Sequence, residues 1–131
     1  MKFPIFPLNG AILFPGTNLP LNIFEKRYIE MVDYALSNNR LIGMIQKKTN
    51  KDFFNIGCLG KITSFSETGG GRYQINLEGL NRFFLKKIDK SKNNFIIIDG
   101  KILKSNEEIK EKNNLKKKLL FNFKKFLKIK N

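Results

Sequence analysis

The chain has 131 residues, with 25 Lys and Arg against 11 Asp and Glu for a formal net charge of +14, one cysteine and no histidine. That length suits one domain with one core, no apolar run approaches the ~20 residues of a membrane-spanning helix, and a lone thiol without histidine excludes an intrachain disulfide and the usual N/S zinc site. The 41% hydrophobic share, including 13 phenylalanines gathered in short segments, points to a folded globule instead of a disordered chain.

All four prolines fall in the first 20 residues, between apolar neighbours: Phe3-Pro4-Ile5-Phe6-Pro7-Leu8, Phe14-Pro15-Gly16 and Leu19-Pro20-Leu21. Proline fixes its own φ, removes a donor and pushes the preceding residue toward extended geometry, so short strands broken by rigid corners are predicted. Asn9-Gly10 and Pro15-Gly16 mark turns. Asn22 with Glu25 three residues on has the spacing of a capping box, and a first helix is predicted to follow. Its apolar face would carry Phe24, Tyr28, Met31, Val32, Ala35 and Leu36, and Ser37-Asn38-Asn39 would end it.

Leu41 to Ile45 is apolar without alternation, as in a strand buried on both faces. Residues 47–52 read as a polar loop. In the next strand, Ile56 to Ser66, Gly57 and Gly60 suit a bulge or sharp bend. Thr68-Gly69-Gly70-Gly71 is a hairpin tip leading into Arg72 to Glu78, where Tyr73, Ile75 and Leu77 point one way and the polar residues the other. Gly79 is expected to end that strand before Arg82-Phe83-Phe84-Leu85, and Phe95 to Ile98 forms one more. The predicted class is α+β: a small mixed, mostly antiparallel barrel with one early helix, spanning residues 1–104.

From Ser105 the pattern changes to a capping box with Glu108, and residues 105–131 read as a basic amphipathic C-terminal helical segment packed on or following the barrel. Leu115, Leu119, Phe123, Phe126 and Leu127 form its stripe, and residues 101–131 hold eleven lysines against three glutamates. Such a stripe is ordinary core patterning, and it is also open to an anionic membrane surface or to RNA phosphates. Lys116, Lys117, Lys118, Lys124 and Lys125 are the candidate polyanion contacts. Against that reading stand only four arginines beside 21 lysines and 16 asparagines, a set that AT-rich coding drift also produces, whereas arginine is preferred for bidentate phosphate contacts.

Nothing assembles into a catalytic site or a cofactor or metal site. Gly60-Lys61 ends like a phosphate loop, yet Asn55 stands where the first glycine belongs and Ile62 where Ser or Thr should hold Mg²⁺. The Thr68 to Gly71 run lacks the helix a dinucleotide loop requires. Cys58 has no histidine to activate it and apolar neighbours. Ser64 and Ser66 lie near Lys61 with nothing to desolvate that amine.

The proline-rich start, Phe24-Glu25-Lys26-Arg27-Tyr28, Gly57-Cys58-Leu59-Gly60-Lys61-Ile62, and Gly71 through Gly79 to Arg82-Phe83 together resemble the N-terminal substrate-binding domain of Lon proteases, over about residues 3–102. The resemblance implies a barrel like that of pseudouridine synthases and archaeosine transglycosylases (PUA-like). It makes Pro4, Pro7, Pro15, Gly16, Pro20, Glu25, Gly57, Gly60, Gly79 and Arg82 structural motif positions. It also implies a non-enzymatic module that binds unfolded or damaged polypeptide, in partnership with a protease or chaperone. A chain of this length is expected to lack the ATPase and protease modules. Phe14, Phe24, Arg27 and Tyr28 are the candidate peptide contacts, although capping and packing are the plainer roles for them. An RNA-binding PUA-like module using the lysines is the alternative, and a membrane-associated adaptor a third. Met1-Lys2-Phe3-Pro4 does not begin a secretory signal, so a cytoplasmic location is expected.

Overall fold

The computed structural model describes residues 1–50, 52–89 and 93–103. The expected C-terminal helical segment, with Lys116, Lys117, Lys118, Lys124 and Lys125, lies outside the described residues. The elements are β1 (Lys2–Pro7), β2 (Asn18–Ile23), α1 (Lys26–Leu36), β3 (Leu41–Ile45), β4 (Lys47–Thr49), β5 (Asp52–Phe53), β6 (Ile56–Thr68), β7 (Arg72–Asp89) and β8 (Ile96–Ile102). Six strands form one mixed sheet in the order β2-β7-β6-β3-β1-β8, and β7 pairs a second time with β8, so the hydrogen-bonded neighbours lead from β7 back to β7. Among the described strands only β1 and β3 run parallel. Among the described residues the fold is mostly sheet with one helix.

Strand alternation sorts the apolar residues onto two sides. Phe3 and Ile5 of β1, Leu41 and Ile45 of β3, Leu59, Phe83 and Ile98 form one cluster. Phe6, Ile42, Met44, Cys58, Ile75, Leu77 and Ile97 face the other way and pack with Met31, Val32 and Ala35 of α1. β3 is buried at all five positions, as its unbroken apolar run predicts. At the centre of the first cluster the rings of Phe3 and Phe83 meet edge to face, 4.9 Å apart at 78°. Three glycines on three strands make room for them. A Cβ would stand 2.6 Å from the Phe3 ring at Gly43, 2.6 Å from the Phe83 ring at Gly57 and 2.7 Å from the Phe3 ring at Gly100.

Several expectations are corrected by the pairings. Pro4 and Pro7 do not break strands but lie within β1. Pro4 falls where β1 pairs with β8 and Pro7 where it pairs with β3, so neither residue has to supply ladder bonds on both sides. Within the expected polar loop, β4 (Lys47–Thr49) pairs with β5 (Asp52–Phe53). Gly79 does not end a strand: β7 continues past it to Asp89, 18 residues in all, and the register shift between Leu59 and Gly60 accommodates Leu80 as a bulge. A second shift, between Ile62 and Ser64, bends β6.

Both kinds of packing residue are open to test by urea unfolding. Phe83→Ala should cost about 3–5 kcal/mol as a core truncation, and Gly43→Ala about 1–3 kcal/mol by overpacking against the ring pair. A Gly43→Ala protein with an unchanged midpoint would contradict the packing described.

Candidate functional site

Of the candidate contact residues, Phe14 and Phe24 sit on the two connections that flank β2, and Arg27 and Tyr28 lie in the first turn of α1. In the β1–β2 connection, Pro15 and Gly16 occupy the centre of a tight turn: Thr17 N donates to the Phe14 carbonyl at 3.1 Å. The Thr17 hydroxyl donates to the same carbonyl at 2.7 Å and accepts from Phe14 N at 3.1 Å. Gly16 has φ 81°, the left-handed conformation that the third position of a type II turn demands. This turn is fastened to β7, because Gly16 N donates to the Gly79 carbonyl at 2.9 Å and Gly79 N donates to the Thr17 carbonyl at 2.8 Å. A Cβ on Gly79 would overlap the Phe14 carbonyl, and one on Gly60 would meet the Leu13 side chain. Leu13 is buried there, which leaves Ile12 and Phe14 facing solvent at 56% and 45% exposure.

At the opposite end of β2, Phe24 is the most exposed apolar side chain of the described residues, at 68%. Arg27 Nε stands 3.1 Å from Glu25 Oε2, and its guanidinium lies 4.8 Å from the Tyr28 ring centre. The Tyr28 ring is half-buried, 4.4 Å from the ring of Phe6, and burial pushes its hydroxyl above the ordinary tyrosine range. Phe24, Arg27 and Tyr28 are therefore neighbours. Phe14 is not with them: the six residues of β2 lie between, about 20 Å at strand rise.

The predicted capping box is not formed. Asn22 belongs to β2, opposite Gln74, and Glu25 takes the N-cap position with no side-chain cap bond, its carboxylate turned to Arg27 instead. The strand pairing of Ile23 with Tyr73 takes precedence over the local spacing. Arg27 is thus an exposed ion-pair partner of Glu25. The expected face of α1 is right for Met31, Val32 and Ala35 and wrong for Phe24, which precedes the helix. Arg82 pairs across from Cys58, and its carbonyl accepts from Leu103 N at 3.0 Å.

Five exposed apolar residues were not among the expected contacts, Met1, Ile12, Phe65, Phe84 and Ile88. Phe65 is a lone apolar residue in the run Thr63-Ser64-Phe65-Ser66, and that isolation on a strand was the available signal. β2, β7 and β6 together carry a depression of about 500 Å³, lined in part by Pro20, Asn22, Ser64, Ser66, Gln74 and Asn76. A second of about 420 Å³ lies between Phe24 and the β6–β7 hairpin at Thr68 and Arg72. Neither holds a group suited to bond-breaking chemistry. Cys58 is buried and free, and burial pushes its thiol up to about 11 against the opposing pull of Arg82 and a backbone hydrogen bond at Leu80.

Residues 2–131 match the family of ATP-dependent protease La (LON) substrate-binding domains. The Lon protease of Buchnera aphidicola (subspecies Acyrthosiphon pisum) is 26% identical over 121 residues, which is 83% of this chain and 16% of that protein. The Lon protease of Mycoplasma mobile is 35% identical over 107 residues, 75% of this chain and 13% of that protein. Among solved structures, a Lon N-terminal domain protein from Xanthomonas campestris superposes with a TM-score of 0.68 at 22% identity, covering 79% of this chain and 60% of that one. The N-terminal domain of a Mycobacterium avium complex Lon protease gives a TM-score of 0.67 at 13% identity, covering 80% of this chain and 56% of that one. The fold is thus like that of Lon N-terminal domains, and the chain spans about a sixth or less of the full-length relatives quoted.

Because burial holds the Cys58 thiol protonated, it should resist thiol reagents at pH 8 in the folded protein and react on unfolding. Its raised ionisation also fixes the sign of a pH effect. The unfolded thiol ionises near the ordinary value of about 8.5, so its contribution to stability is complete below that pH and declines as the pH rises toward about 11. Cys58→Ala should flatten this alkaline decline; an equal slope in both proteins would show that other groups cause it.

Proposed function

This chain belongs to the family of ATP-dependent protease La (LON) substrate-binding domains, and from that premise we propose that it is a non-enzymatic polypeptide-recognition module. Its ligands are exposed apolar segments of unfolded or damaged chains, which it presents to a protease or chaperone. The observation that carries this reading is the family match across residues 2–131 together with apolar side chains held in solvent by rigid backbone. Ile12 and Phe14 are displayed by the turn locked to Gly79, and Phe24 by the connection between β2 and α1. Neither display is explained by packing. Exposed apolar residues on ordered corners lose little entropy when a partner covers them, which is what weak, sequence-tolerant binding needs.

In this reading Phe14 and Phe24 are two separate apolar contacts for unfolded chains, and Arg27 and Tyr28 border the second. The second pairing of β7 with β8 supports regarding the sheet as a small PUA-like barrel. No helix of the described residues is long and apolar enough to cross a membrane, and a cytoplasmic module fits a single buried thiol.

Fluorescence anisotropy of a labelled, permanently unfolded polypeptide, with excess unlabelled single-stranded RNA, tests the proposal at physiological salt. Binding should persist with RNA present and change little as salt rises, since apolar contacts are not screened. Phe14→Ser with Phe24→Ser should weaken it at least tenfold without loss of folding. Absence of binding at high micromolar concentration would refute the module, and displacement by RNA with steep salt dependence would assign recognition to the lysines.

A further inference from the structure

The ring of pairings β7-β6-β3-β1-β8 leaves few open strand edges; besides those of the β4–β5 pair and of β7 past Leu85, two edges among the described residues belong to the three-stranded part made by β2, the first half of β7 and the second half of β6. One is the outer edge of β2. The other is the edge of β6 past Ile62, where pairing with β3 has ended. Backbone alternation determines what each edge offers. Gly79 exchanges its bonds with the β2 side, donating to Thr17 and accepting from Gly16. In a regular antiparallel pair every second residue does the same, so Leu77, Ile75 and Tyr73 also face β2, and Asn76 and Gln74 face β6. Pro20 agrees, because it lies opposite Asn76 and its missing donor is on the outside.

On β6 the partners of Asn76 and Gln74 are Ser64 and Ser66, and these two use their N–H and C=O groups in the ladder with β7. Phe65 and Glu67 lie opposite Ile75 and Tyr73 and so turn their N–H and C=O groups outward. Ile62, before the bulge, obeys the same rule, for its outward N–H reaches the Arg40 carbonyl at 2.9 Å. Past it, residues 63 to 67 are exposed and contain no proline. The β2 edge differs: its middle residue is Pro20, which interrupts the row of donors and blunts the edge.

We propose that the Thr63 to Thr68 edge of β6 is where an extended polypeptide segment docks, as an added strand bonded to the N–H and C=O groups of Phe65 and Glu67. This deepens the polypeptide-recognition reading and rests on it. Backbone bonds of this kind accept any sequence. Side-chain preference comes from the row Leu21, Ile75 and Phe65, in register on one face, and from the Tyr73 ring 4.8 Å from that of Phe65. A ligand residue placed beside Phe65 extends that row, so an apolar side chain is favoured at every second ligand position. Exposed at 42%, Phe65 has an uncovered face for it.

Residue-resolved amide exchange by NMR, on the full chain with and without a permanently unfolded polypeptide, tests the assignment. In the free protein Ser64 and Ser66 should exchange slowly, and Phe65 and Glu67 fast. Bound polypeptide should slow Phe65 and Glu67 at least tenfold and leave Asn18 and Asn22 on the β2 edge unchanged. Phe65→Pro removes an outward donor without removing a bond to β7, and should weaken binding at least tenfold, whereas Phe65→Leu should stay within about twofold. The docking edge is overturned if polypeptide binds but slows Asn18 and Asn22 instead, or slows neither pair. It is overturned equally if Phe65 and Glu67 are already slow in the free protein, or slow only as protein concentration rises, since the chain itself or a second copy then covers the edge. Absence of any polypeptide binding refutes the recognition reading, a result distinct from all of these.

Discussion

The edge-to-face contact of Phe3 with Phe83 is the constraint around which the sheet is built. Two rings this close to the strands need places where no side chain competes, and Gly43 on β3, Gly57 on β6 and Gly100 on β8 supply them. β1 and β7 contribute the rings. Five strands are thus held to one object, and these are the five whose pairings return from β8 to β7. The returning pairings leave few open edges along these five strands.

The second apolar cluster lies on the other side of those strands. Strand residues facing away from the ring pair are covered by α1, whose Met31, Val32 and Ala35 are buried against them. Hydrogen bonds at the rim fix the helix: Tyr73 Oη donates to Asp33 at 2.8 Å, and Asn94 Nδ2 donates to Glu30 at 2.8 Å. With α1 and the Gly79-anchored turn both held, Phe24 and Phe14 keep set positions at the two ends of β2. Rigid display of this kind suits a domain of the Lon substrate-binding family, which in the full-length relatives forms a small share of a much longer chain.

Local chemistry was legible wherever one residue type settles the geometry. Pro15-Gly16 produced its turn, Gly70 and Gly71 a hairpin tip with φ of 86° and 74°, and the unbroken apolar run of β3 a strand buried on both faces. Errors arose where a long-range partner overrode a local signal. Asn22 and Glu25 have capping spacing, yet pairing with β7 extends β2 through Ile23. Gly79 looked like a strand terminus because glycine weakens strands, whereas its missing side chain admits the Phe14 carbonyl while β7 continues. Prolines in β1 looked like corners because pairing to different partners along one strand leaves no trace in the residues. In the candidate site, Phe24, Arg27 and Tyr28 were placed together by sequence adjacency. The separation of Phe14 by the length of β2, and the exposure of Ile12 and Phe65, depended on tertiary packing.

The central claim is that the chain distinguishes unfolded from folded polypeptide through exposed apolar and backbone groups. Calorimetric titration with one protein in two forms, native and irreversibly unfolded by blocked cysteines, tests it most directly. The account requires binding of the unfolded form, with the negative heat-capacity change of apolar burial, and none of the native form. Equal binding of both forms, or of neither, would contradict it.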